Sequence, residues 1–366
     1  MKAIKMLVLL LLLTLFPLQS VLAAGEKTWD SYFPRDDFFY EHWAYEEVSD
    51  LIYADIIDGY VDSDGFMYVR PDQNITRAQF VKIIVSALNL KSDGPGKTFK
   101  DVKSKQWYSE HIRIASDLGI IHGNTNNQFL PDQPITRAEI TKIIVLAFEK
   151  TIDFSKGKGK SFTDVNSKSW AYDFIRKASG ANIVMGYGSD FRPATHATRA
   201  QSMVMIHRAL QQEQSALPKD ADLSALLSGY IKKENDFMKA KDANKLVALY
   251  KENGTGIFKA EKLGSIEWLF YEEPGIKTIT KINDDNLKLT LVKKANRFAT
   301  IKATGMILNV KIEGPNYKMD LTETMDIQYN LKKDPTSGKW KIYNYYPFYD
   351  EEAVMSMLNG KVLSED

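Results

Sequence analysis

Arg77, Arg137 and Arg199 recur in one context: "NITRAQFVKIIVSAL" from Asn74, "PITRAEITKIIVLAF" from Pro134 and "HATRAQSMVMIHRAL" from His196. A threonine (Thr76, Thr136, Thr198) precedes each arginine, and Gln79, Glu139 or Gln201 follows at a fixed offset. That is a capping box, in which a hydroxyl and a side-chain carbonyl satisfy orphan amides at the start of a helix. The arginine therefore falls at the first helical position, where the positive end of the dipole disfavours it by roughly a few tenths of a kcal/mol. An anion at the helix end reverses that sign, because free amides and a guanidinium fork then point at one target. The chemistry on offer is anion recognition. A structural alternative pairs the arginines with Asp37, Asp101 and Asp164, and both roles can coexist.

The elements that position these arginines repeat with them. Trp43, Trp107 and Trp170 lead, at one constant spacing, to Gly59, Gly123 and Gly186. Pro71, Pro131 and Pro193 then precede the three arginines, again at one spacing. Upstream, "FKDV" and "FTDV" set Asp101 and Asp164 before their tryptophans; Asp37 holds the same offset in a degenerate first copy. Self-similarity with a period of roughly sixty residues marks a repeat architecture, and each unit reads as two helices joined by a loop. The first helix runs from the tryptophan, with Trp107, Ile112, Ala115 and Leu118 as its apolar or small positions. In the second, Ile140, Ile143, Ile144 and Ala147 keep helical spacing, as do Phe80, Ile83, Ile84 and Ala87. Ile135 with Ile140, and Ile75 with Phe80, form hydrophobic staples at the caps. One helix pair cannot bury its stripe alone, so three pairs pack around a shared axis. "SDGPGK" and "SKGKGK" read as exposed linkers between units.

A leading tryptophan, the "GIIHG" turn, a proline and then "ITRAE" make residues 36–212 resemble the S-layer homology family, in three copies at 36–92, 97–152 and 160–212. The resemblance implies an all-α pseudo-threefold spindle with ligand grooves between units. It also implies non-covalent anchoring to secondary cell-wall polysaccharide, a peptidoglycan-associated glycan that commonly carries a pyruvate ketal. That ketal is a carboxylate. Carried onto this chain, the glycan-binding positions are Arg77, Arg137 and Arg199, Trp43, Trp107 and Trp170, Gly59, Gly123 and Gly186, with Glu139 and Lys142. A tryptophan there serves as core or as sugar platform. A glycine there admits the glycan or supplies a positive-φ turn, the turn being favoured. The third copy departs most: Ala197 and Ser202 break the staple, and Val204 stands where Lys82 and Lys142 stand. Its groove is expected to be the weakest.

A polar linker at 213–221 ends the repeats, and residues 222–366 read as an α+β domain, making the chain a mixed fold. One or two helices between Asp222 and Lys251 precede alternating runs from Lys277 onward. In the run ending at Ile312 the apolar phase flips at Gly305, from Ala299, Ile301 and Ala303 to Met306, Leu308 and Val310, which predicts a β-bulge. Helices followed by an antiparallel sheet, curved in that family, resemble the NTF2-like superfamily, with a cystatin-like sheet as the competitor. One face of "YKMDLTETMDIQYNL" carries Glu323 among apolar residues, either a pocket carboxylate or, more in keeping with the rarity of unpaired buried acids, a solvated edge.

Composition narrows the classes. The chain has 366 residues, 44% hydrophobic and 26% charged, which is ordinary for globular domains. Lys2 and Lys5 before the apolar run Leu7–Leu13, then "VLAAG", read as a signal peptide over 1–24, the alternative being an uncleaved anchor. No later stretch is apolar enough to span a membrane, and taking Lys2 and Lys5 from the 48 basic residues leaves 46 against 47 acidic ones, which gives no footprint for nucleic acid. Cysteine is absent, excluding a lipoprotein anchor and thiol chemistry; all five histidines (His42, His111, His122, His196, His207) precede the α+β domain. Serine-histidine catalysis and an ordinary zinc site are thereby excluded there. The sequence reading is an exported surface protein, not an enzyme, with no cofactor or metal. It is anchored by its repeats and displays a C-terminal domain whose ligand is unknown. An anchored wall-modifying enzyme and a lattice-forming subunit are the alternatives.

Overall fold

The computed structural model describes residues 27–36 and 41–348. The expected signal segment, Asp37 and the residues after 348 lie outside them. Each repeat is a helix pair: α1 (Tyr45–Tyr53) and α2 (Arg77–Ala87), α3 (Ser109–Asp117) and α4 (Arg137–Phe148), α5 (Tyr172–Gly180) and α6 (Arg199–Leu210). The first repeat adds a small hairpin, β1 (Tyr60–Val61) with β2 (Met67–Tyr68). All three capping boxes form, with Thr76, Thr136 and Thr198 accepting from the backbone of Gln79, Glu139 and Gln201.

The second helix of each repeat packs on the first helix of the next: α2 on α3, α4 on α5, and α6 back on α1. The three pairs thus close a ring around an axis where the helix starts meet. There the amide of Ile75 donates to the carbonyl of Ala197 (3.1 Å), Ile135 to Ile75 (3.0 Å) and Ala197 to Ile135 (2.9 Å), all three side chains being fully buried. The first helices are shorter than their apolar pattern suggested. Trp107 precedes α3 and Leu118 caps it, and both are exposed, leaving Ile112, Ile114 and Ala115 as the core side. The linkers between repeats are surface segments, yet they are tied down: Arg113 donates to the carbonyl of Ser92 at 2.7 Å and also to that of Gly94.

The C-terminal region has α7 (Asp220–Lys239), α8 (Ala243–Asn253) and α9 (Gly256–Gly264), then β3 (Lys277–Asn283), β4 (Lys288–Lys294), β5 (Phe298–Gly314), β6 (Tyr317–Lys333) and β7 (Trp340–Phe348). The sheet is antiparallel in the order β3-β5-β6-β7, with β4 continuing the β3 edge along β5. The bulge falls where the phase flip placed it: the β5–β6 register shifts between Ala303 and Met306. Gly305 is there at φ +82, and a Cβ would stand 2.4 Å from the carbonyl oxygen of Asn286, so only glycine fits. The α9 helix was not foreseen.

The polar stretch 213–221 is not a free linker. Glu213 is fully buried and paired with Arg297, Asn296 holds both Ser215 and the amide of Ala216, and α7 already starts at Asp220. Ile257, Ala260, Phe298 and Tyr343 of the C-terminal region share a core with the repeats. Asp50 of α1 accepts from the Tyr343 hydroxyl at 2.7 Å and meets His207 of α6 at 2.8 Å. Burial and the neighbouring Asp50 carboxylate push the Tyr343 hydroxyl well above the usual tyrosine range. Lys332 donates to the carbonyl of Ala54. Halves that share a core unfold together. Calorimetry of the full chain is therefore expected to show one cooperative transition, which Tyr343→Phe shifts downward as a whole. Two resolved transitions, with only one moved by that substitution, would mean independent domains.

Candidate functional site

The three junctions between repeats are built from the same parts. The first two amides of each second helix are taken by the next repeat's loop: Arg77 and Ala78 donate to Gln133 and Pro131 (2.9 Å each), Arg137 and Ala138 to Thr195 and Pro193 (2.9 and 3.1 Å), Arg199 and Ala200 to Gln73 and Pro71 (2.8 and 2.9 Å). The threonine cap takes the third. The free amides expected to receive an anion are thus already bonded, which corrects that part of the sequence reading.

The guanidinium groups explain themselves the same way. Nε of Arg77 donates to the carbonyl of Phe129 (2.8 Å), that of Arg137 to Phe191 (2.9 Å) and that of Arg199 to Val69 (2.8 Å). Each arginine straps its repeat to the next, and carbonyl oxygens offset the unfavourable dipole. The anticipated partners Asp101 and Asp164 do not pair with the arginines. They hold the loops that present those carbonyls: Asp101 accepts from Phe129 and Leu130 (2.9 and 2.8 Å), and Asp164 from Phe191 and Arg192 (2.8 and 2.6 Å). In the first repeat Asp36, one place before the expected Asp37, does this for Arg70.

Charge then separates the junctions. Between the first and second repeats, Arg77 forms an ion pair with Glu139 at 2.6 Å. Glu139 also receives the amide and hydroxyl of its cap, Thr136 (2.9 and 2.8 Å), so its carboxylate is engaged within the protein. At the other two junctions the equivalent residue is neutral, Gln201 or Gln79. There Arg137 and Arg199 are buried to 6% and 5% exposure with no carboxylate in ion-pair reach among the described residues. Burial holds both guanidinium groups below their usual range. Tyrosines face them: Arg137 lies 4.9 Å from the ring centre of Tyr187, and Arg199 lies 4.4 Å from that of Tyr60. A second, exposed arginine sits 4.4 Å from each ring, Arg192 at Tyr187 and Arg70 at Tyr60. The expected weakness of the third repeat's groove is not seen at its arginine, whose surroundings match those of Arg137.

The tryptophans are surface residues rather than core: Trp43, Trp107 and Trp170 are 58%, 53% and 57% exposed. Lys82 lies over Trp107 and Lys142 over Trp170 (5.9 and 5.7 Å), while Trp43 neighbours His42 instead, since Val204 replaces the lysine. The glycines are tight turns. Gly59, Gly123 and Gly186 have φ of 67–73°, and a Cβ would meet Met67, Phe99 or Phe162 of their own repeat within 2.7 Å. Glu323 is half-buried opposite Leu308 on β6, with no ion pair among the described residues. No cluster of metal-ligating side chains occurs among the described residues.

Sequence reading missed Tyr60, Tyr187, Arg70 and Arg192. The signal was present: a tyrosine directly after the repeat glycine and an arginine directly before the repeat proline in copies one and three, replaced by Asn124 and Leu130 in copy two.

The sequence pattern of the S-layer homology domain matches residues 40–81, 98–141 and 161–201. Exoglucanase XynX of Acetivibrio thermocellus is 32% identical over 47% of this chain and 16% of its own length. A cellulosome-anchoring protein of the same organism is 30% identical over 39% and 33%, and the surface-layer 125 kDa protein of Lysinibacillus sphaericus 31% over 48% and 15%. The chain therefore spans far less than two thirds of these relatives, and those named as enzymes align over the repeats alone. Among solved structures, the intermembrane space region of the chloroplast protein ARC6 aligns over 36% of this chain and 98% of its own at 12% identity, with a TM-score of 0.25, too slight to define a fold.

Arg137→Ala removes a buried charge-assisted bond and leaves the Phe191 carbonyl without it, an expected loss of about 1–3 kcal/mol in urea unfolding. Glu139→Gln puts in the residue that two repeats already carry and gives up a partly exposed pair, an expected loss under about 1 kcal/mol. The reverse order would show that the arginine strap is not what joins the repeats.

Proposed function

Because the chain carries three tandem S-layer homology domains, we propose that it is a bacterial cell-surface protein held non-covalently on secondary cell-wall polysaccharide. One observation carries the reading: at two junctions a buried guanidinium lacks a carboxylate partner, and exposed tryptophans stand on the ring of repeats that bears them. A buried charge without a counter-ion is costly, so such a site favours an anionic ligand, and exposed tryptophan faces on the same ring of repeats suit a sugar ring. A pyruvate ketal on the polysaccharide supplies a carboxylate of the right kind. The names of the relatives, a cellulosome-anchoring protein and a surface-layer protein among them, point the same way.

The C-terminal domain we read as a displayed binding domain, not an enzyme. In support, no histidine or cysteine follows His207, and Glu323 has no second acid beside it on its strand face. The anchoring test uses the full mature chain, because the two regions share a core. It is expected to pellet with native sacculi and to bind weakly once mild acid has removed pyruvate from the polymer. Equal retention on both would reject the ketal carboxylate as the target, and no retention on either would reject wall anchoring.

A further inference from the structure

The three junctions are alike in backbone and unlike in charge, and that difference sets how many ligands the chain can hold. At the first junction Glu139 neutralises Arg77, and Asn124 and Leu130 stand where the others have a tyrosine and a second arginine. At the second and third junctions the cap residue is glutamine, and its two ends are both spent. The oxygens of Gln201 and Gln79 accept the cap amides of Thr198 and Thr76 (3.3 and 3.1 Å). Their nitrogens donate to the hydroxyl oxygens of Tyr187 and Tyr60 (2.7 and 2.9 Å). Each phenol therefore receives a hydrogen bond from within and keeps its own proton to give. Around it stand one buried and one exposed arginine.

Resting on the anchoring read above, we infer that Arg137, Tyr187 and Arg192 form one anion clamp and Arg199, Tyr60 and Arg70 a second, while the Arg77–Glu139 pair keeps the first junction silent. Each clamp offers two guanidinium groups and a phenolic donor to a single anionic saccharide group, a carboxylate or a phosphate; the nearby carboxylates, Asp164 and Asp36, are held by the backbone amides of Arg192 and Arg70 and form no ion pair with the clamp arginines among the described residues. The chain is then bivalent. Two clamps on one ring engage two anionic units of the same polymer, and the second contact forms at high effective concentration. Affinity for the polymer exceeds that for a single unit by about a hundredfold or more where its spacing spans both clamps.

Arg70 and Arg192 are exposed and donate no side-chain bond that holds the repeats, so replacing them tests the clamps without unfolding the ring. Titration calorimetry with single-repeat-unit fragments of the wall polymer is expected to give two sites per chain. Arg70→Ala and Arg192→Ala should each leave one site, the altered clamp weakening by at least about tenfold. The double variant should fail to pellet with sacculi that retain the wild-type chain. Fragments stripped of pyruvate, or of phosphate, distinguish the two anions. One or three sites in the wild type, or sacculus binding undiminished in the double variant, would overturn the clamps while leaving the anchoring read intact. A wild-type chain that ignores sacculi would overturn both.

Discussion

Helix starts brought together at an axis pose one constraint on which the rest of this molecule depends: their orphan amides must find acceptors away from water. The protein solves it by exchange. Each helix start donates to the loop of the next repeat, and the amides of Ile75, Ile135 and Ala197 close the exchange into a ring. The three repeats of one chain supply the three links of that ring. The interior residues differ at its centre, two isoleucines and an alanine, yet the backbone ring is unbroken because it uses no side chain.

Much that resembles ligand chemistry in the repeat serves this exchange. The aspartates hold loops so that carbonyls face outward to the arginines, and the glycines turn at positive φ against a side chain of their own repeat, a phenylalanine in two copies. The arginine takes part in the exchange directly. Its Nε is consumed by a neighbour's carbonyl, while the state of the rest of the fork depends on one further residue, glutamate or glutamine, at the neighbour's cap. A single carboxylate thus changes a junction's charge without changing its backbone.

The C-terminal region is fastened to the same ring. Asp50 joins α1 to α6 through His207 and to β7 through Tyr343, so the closure between third and first repeats and the docking of the C-terminal region share one carboxylate. Gly256 records how close the approach is: a Cβ there would stand 1.9 Å from the carbonyl oxygen of Tyr53.

Local rules made much of this legible in advance. Capping boxes, the start of each second helix and the bulge at Gly305 follow from residues within a few places of one another, where hydrogen-bond geometry and side-chain alternation are set by the chain itself, and the number of repeats follows from the recurrence of that local signature along the chain. Tertiary structure decided the rest. Phe129 accepts from Arg77, Val69 from Arg199 and Tyr343 donates to Asp50 across long stretches of chain, so no spacing rule exposes them. The same holds for the slip from Asp37 to Asp36, for the burial that turned a supposed linker at Glu213 into an anchor, and for the exposure of Trp107. What a guanidinium does depends on which groups the fold brings opposite it, and its own helix carries no record of them.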